Sequence, residues 1–138
     1  MYLFVFVLKI KYLTMTEQPL LIKNQEAPLR QFGKGCICKL LLDDEKGLKN
    51  LTIGTVIIEP GERTITHTRV VEEVVFAHKG EVYAVTENAE YRLAEGDCIF
   101  IPAGIEHYHE NRSNETIEQI FIFSPQGPEK DMRKLPLI

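Results

Sequence analysis

The chain has 138 residues, of which 44% are hydrophobic and 26% charged, with a net charge of −4 at pH 7. That length fits one domain with a core of its own, and the composition is that of an ordinary globular protein. The acidic balance, with Lys and Arg scattered rather than clustered, excludes the usual nucleic-acid binder, and no apolar run approaches the ~20 residues of a membrane-spanning helix.

The chain opens with Met1, Tyr2, Leu3, Phe4, Val5, Phe6, Val7 and Leu8. This run is too short to span a bilayer and lacks the basic start and small-residue cleavage site of a signal peptide. Two readings stay open for residues 1–14. They form an extra strand, since Val and Phe favour strands, or they precede the true start at Met15. Residues 1–28 are read as an N-terminal extension, 29–125 as the folded domain and 126–138 as a tail.

Short β-rich runs then follow one another, punctuated by turn residues. Residues 36–42 are a strand, followed by the polar stretch 43–50. Residues 51–59 are a second strand, ended by Pro60 and Gly61. Residues 65–69, 74–78, 81–86, 90–93, 98–101, 106–110 and 116–123 complete the series. In the last of these, alternation is only partial, because Glu118 and Gln119 interrupt Ile117, Ile120 and Phe121. No amphipathic helix of useful length emerges. Many short strands at even spacing predict an all-β sandwich or small barrel. The tail carries Pro125, Pro128 and Pro136; it is expected as an extended arm over the barrel or a partner subunit.

Three cysteines, Cys36, Cys38 and Cys98, form no paired framework and fit reduced thiols in the cytoplasm. Cys36 and Cys38 share one strand face and read best as small apolar fillers. Tyr83, Tyr91 and Tyr108 read as packing residues, and His78 as a surface residue.

Chemistry concentrates between Gly61 and Asn111. Residues two apart in a strand share a face, so His67 and Arg69 point the same way, as do His107 and His109. Glu73 rather than its neighbour Glu72 is expected to face inward. Imidazole and carboxylate brought to one point suit a divalent first-row ion such as Zn, Fe, Mn, Ni or Cu. Arg69 is permanently protonated and offers no lone pair to a metal.

Two spaced motifs carry a resemblance. Gly61, His67, Glu73 and Gly80 match the first signature of the cupin superfamily, and Gly96, Pro102, Gly104, His107 and Asn111 match the second. The chain resembles the small single-domain members. The resemblance implies a double-stranded β-helix, or jelly-roll barrel, that commonly dimerises, with His67, Glu73 and His107 as metal ligands. The one departure is Arg69, which stands where the family places its second histidine. Either the metal keeps three ligands, or takes His109 as a fourth, while Arg69 holds a substrate anion; or metal is absent and Arg69 pairs with Glu73.

The leading expectation is a metal-dependent cupin acting on an anionic small metabolite by isomerase- or lyase-type Lewis-acid chemistry, with Arg69 on the anion and His109 or Glu73 moving protons. An iron- or copper-dependent oxygenase and a non-catalytic ligand-binding or sensing module are the alternatives. A small-molecule ligand and a homodimer are the expected partners; nucleic acid and membrane are not.

Overall fold

The computed structural model describes residues 18–138, so both readings of residues 1–14 lie outside the described residues. Among the described residues nine strands form two antiparallel sheets. They are β1 (Arg30–Gln31), β2 (Cys36–Leu42), β3 (Thr52–Ile58), β4 (Glu72–Lys79), β5 (Val82–Thr86), β6 (Glu90–Leu93), β7 (Cys98–Ile101), β8 (His107–Glu110) and β9 (Ile117–Ser124). The larger sheet runs β1-β2-β3-β9-β4-β7 and the smaller β6-β5-β8. This is the all-β architecture expected from the spacing of strands and turns, and it fits the jelly roll that the resemblance implies.

Alternation explains how the sheets face each other. Along β4, Glu73, Val75 and Ala77 are buried while Glu72, Val74, Phe76 and His78 are exposed. Along β9, Ile117, Gln119, Phe121 and Phe123 turn inward. The partial alternation read in β9 is therefore complete once parity is set by the two phenylalanines, whose rings stack 4.9 Å apart. Each of the larger apolar side chains buried there, Val75, Ile117, Phe121 and Phe123, contributes about 1.5–3 kcal/mol. Cys36 and Cys38 are free, fully buried and part of this core, as fillers.

Two expectations need correction. Residues 65–69 are not a strand. The segment after Gly61 lies along β8 with hydrogen bonds from Gly61 to Asn111, Thr64 to His109 and His67 to His107, each 2.9 Å. It thus advances three residues for every two on β8. That repeated excess coils the segment, as a β-bulge does at a single point, and only isolated bridges, Arg63 with Glu110 and His67 with His107, survive. Tyr91, read as a packing residue, is 47% exposed; it sits on the edge strand β6, where no neighbouring strand covers it.

The tail packs on its own barrel rather than extending away. A one-turn helix, α1 (Glu129–Met132), buries Met132 in the core cluster. The chain then returns to the β1 edge, where Gln31 N donates to Pro136 O at 2.8 Å and Ile138 N to Leu29 O at 3.0 Å. No helix among the described residues is long and apolar enough to cross a membrane.

Candidate metal centre

Three stretches of backbone place the site. The coiled segment supplies His67 and leads to Arg69, the start of β4 supplies Glu73, and β8 supplies His107 and His109. Gly104 N donates to Arg69 O at 2.8 Å, tying the turn before β8 to the turn before β4. Asn111 is fully buried and holds the far end of β8: its Nδ2 donates to Ile58 O and Glu115 O, and its Oδ1 accepts from Ser113 N. Its reading as a structural residue stands. The motif glycines Gly61, Gly80, Gly96 and Gly104 all take positive φ, between 75° and 94°, the left-handed region that glycine enters without a Cβ penalty.

All five sequence-predicted site residues are brought together. One ligand atom from each of His67, Glu73, His107 and His109 lies within 4.8 Å of the others. Glu73 Oε1 stands 3.6 Å from His107 Nε2 and 3.7 Å from His109 Nε2. These distances are too long for hydrogen bonds but close to the ~3.4 Å between two donors that share a tetrahedral ion. Neither His107 Nε2 nor His109 Nε2 has a hydrogen-bond partner, and both are buried. Buried unpaired polar atoms are rare and costly, and here they converge. His67 Nδ1 and His107 Nδ1 each meet a backbone carbonyl, of Ile65 and Ile105, at 2.8 Å. Those contacts fix the proton on Nδ1 and leave Nε2 with its lone pair facing the group. By this test the residues fit a divalent metal, with His109 completing a set of three imidazoles and a carboxylate.

Arg69 lies beside this group, not in it. Its Nε is 3.7 Å from Glu73 Oε2, and the side chain is only 12% exposed. The guanidinium carbon sits 5.2 Å from the Phe123 ring centroid and 5.9 Å from that of Phe32. Its buried Nε has no hydrogen-bond partner.

The electrostatics follow from enclosure. Burial pushes the His67 pKa down to about 3, with the Arg69 charge acting in the same direction. Burial likewise lowers that of His109, against the pull of Glu73. Both imidazoles are therefore neutral near pH 7, the form that binds metal. For Glu73 burial pushes upward, but His107 and His109 outweigh it and hold the carboxyl well below its usual range. Burial lowers the Arg69 pKa while Glu73 opposes that shift.

Residues that motif spacing did not single out also line the space beside the group, among them Phe32, Gln119 and Met132. Gln119 had a signal, since it is the one polar residue on the inward face of β9. Phe32 is a single apolar residue in an irregular stretch and Met132 one in a single helical turn, too short for periodicity to mark a direction.

A jelly roll with inward imidazoles and a carboxylate at these positions defines a class of small β-barrel proteins. Residues 54–123, half of the chain, match the Cupin domain family, and the chain belongs to it. It is 24% identical over 120 residues to Protein SchB of Streptomyces halstedii, covering 86% of this chain and 87% of that one. Among solved structures it resembles the polyketide cyclase RemF of Streptomyces resistomycificus, with a TM-score of 0.70 and 16% identity over 80% of this chain and 82% of that one. A cupin-superfamily sugar phosphate isomerase from Silicibacter pomeroyi has a TM-score of 0.67 and 20% identity, covering 79% of this chain and 77% of that one. At these identities the solved structures speak for the fold.

Proposed function

We propose that this cupin binds one divalent transition metal through His67, Glu73, His107 and His109 and acts on a small metabolite bearing a carboxylate or phosphate. The convergence of buried, unpartnered imidazole nitrogens on Glu73 Oε1 carries the reading. When bound, such an ion supplies Lewis acidity toward a carbonyl or hydroxyl oxygen. Arg69 then does what a guanidinium does well, which is to hold an anion through charge-assisted hydrogen bonds. Its guanidinium lies beside the ligand group, with Nε 3.7 Å from Glu73 Oε2, which puts that charge at the site. His67 and His107 keep their rings fixed through Ile65 and Ile105.

His109 is assigned to the ligand group rather than to proton transfer. Its Nε2 faces Glu73 Oε1 at 3.7 Å, as His107 Nε2 does at 3.6 Å, so the two imidazoles are placed alike. Isomerase- or lyase-type chemistry on an oxygenated anion is the reaction class proposed. A relative in fold described as a sugar phosphate isomerase is consistent with it.

A second reading has one observation in its favour. Arg69 and Glu73 stand 3.7 Å apart, the contact expected of a metal-free pocket that only binds a ligand. Elemental analysis of untagged wild-type protein beside His107→Ala separates the two. About one equivalent of Zn, Fe, Mn, Ni or Cu in wild type, lost in the variant, is expected. No metal in wild type after reconstitution would move the function to a ligand-binding module.

A further inference from the structure

The three histidines of the group differ in how their outer ring nitrogen is held. For His67 and His107 it meets a backbone carbonyl at 2.8 Å. His109 turns Nε2 toward Glu73, and its Nδ1 is buried with no hydrogen-bond partner. An imidazole bound to metal through one nitrogen carries a proton on the other, and that N–H ordinarily reaches a carboxylate, a carbonyl or water. Left unpaired in the barrel, the Nδ1–H of His109 is a costly buried donor.

The opposite wall holds an equally isolated acceptor. Gln119 is 2% exposed, flanked on the inward face of β9 by Ile117 and Phe121, and its Oε1 is buried without a partner. Gln119 and His109 line the same narrow space, about 10 Å³ in volume. That is at the lower limit of room for a single water. Arg69 lines it as well, and its Nε is another donor without a partner. Two donors and one acceptor around such a space match the roughly three hydrogen bonds that a buried water makes.

We propose that Gln119 is a positioning residue for His109. Its carboxamide oxygen accepts the Nδ1–H of His109, directly or across one water, and so holds Nε2 toward Glu73. This rests on the metal reading above. The role needs an acceptor at position 119: a carboxylate serves, and an aliphatic side chain of similar length does not.

The test is Zn(II) affinity of the full chain, measured by competition with a chelating dye, with Co(II) absorption as a report on ligand geometry. Gln119→Leu is expected to weaken Zn(II) binding about 10- to 100-fold and to change the Co(II) spectrum. Gln119→Glu is expected to keep wild-type affinity or exceed it. Metal-free Gln119→Leu should melt no lower than wild type, since it removes an unpaired carboxamide from apolar surroundings. Should Leu not be tolerated, Gln119→Met carries the same expectation. Wild-type Zn(II) affinity in the Leu or Met variant, alongside its loss in His107→Ala, overturns the role of Gln119 and leaves the metal site standing. A wild-type protein that binds neither ion overturns both.

Discussion

Glu73 turns its two oxygens in different directions: Oε1 toward His107 and His109, Oε2 toward Arg69. Metal ligation and pairing with arginine, which stand as alternatives in the sequence, are therefore geometrically compatible. The cation still bears on the metal, because like charges in a poorly solvated interior repel strongly. Arg69→Met should consequently move two affinities in opposite directions. Zn(II) binding should tighten by about tenfold as the positive charge is removed. Binding of a simple carboxylate such as oxalate to the zinc-loaded protein should weaken by about tenfold or more as its charged hydrogen bonds go. Calorimetric titration of both ions reads the two changes. If neither moves, Arg69 is a structural partner of Glu73 and the anion is held elsewhere.

The coiled segment beside β8 and the C-terminal tail show why some elements were legible in the sequence and others were not. Spacing to Gly80 placed Glu73 inward, and strand parity from Glu73 placed His78 outward; both positions hold because β4 keeps its register from Glu73 to Ala77 and shifts only between Ala77 and Lys79. His67 and Arg69 also reach the site, but through a segment that gains one residue on β8 at every hydrogen-bonded step, a register that no period in the sequence announces. Position 119 was obscured for a different reason: one polar residue on an inward face reads as broken alternation until the phenylalanines two and four places on fix the phase. The tail is held largely by contacts far apart in sequence. Arg133 pairs with Asp43 at 3.1 Å, Asp44 at 2.8 Å and Glu45 at 3.3 Å, and Arg30 Nη1 donates to Arg133 O and Leu135 O. The hydrogen bond from Arg133 holds the Asp44 carboxyl below its usual range. A carboxyl depressed in the folded state stabilises above its unfolded pKa, and that contribution fades as pH falls through the folded value. The pairs are partly solvated, so about 1 kcal/mol is at stake. Arg133→Ala should thus speed amide exchange over residues 129–135 at pH 7 by several-fold, and the difference from wild type should shrink below about pH 4. Equal exchange at pH 7 would mean that Met132 and the β1 edge hold the tail unaided.

At the scale of the molecule, the outward face of the larger sheet is the least satisfied surface. Ile53, Ile122, Val74 and Phe100 fall on one cross-strand row, and Ile120 and Phe76 on the next. Val74 and Phe76 are each 36% exposed and Phe100 54%. Toward β2 the same face is treated differently: Lys39 and Thr55 are buried there, and Lys39 Nζ donates to Asn24 Oδ1 at 3.1 Å. The part left uncovered by the described residues is thus contiguous and apolar, and it ends at β7, a sheet edge. Contiguous apolar patches mark association surfaces, and a second copy related by a two-fold axis would cover this one with its own equivalent. A homodimer through this face is the proposed assembly. The proposed metal ligands lie on the inward side of the sheets, so assembly and metal binding should separate. Val74→Lys with Phe76→Lys is expected to give a monomer at micromolar concentration by sedimentation velocity while keeping wild-type metal content. Lysine stems tolerate the sheet surface, and their like charges oppose self-association across the two-fold. A wild-type protein that already sediments as a monomer removes the dimer. A double variant that remains dimeric moves the interface to another surface, the open edge of β6 first.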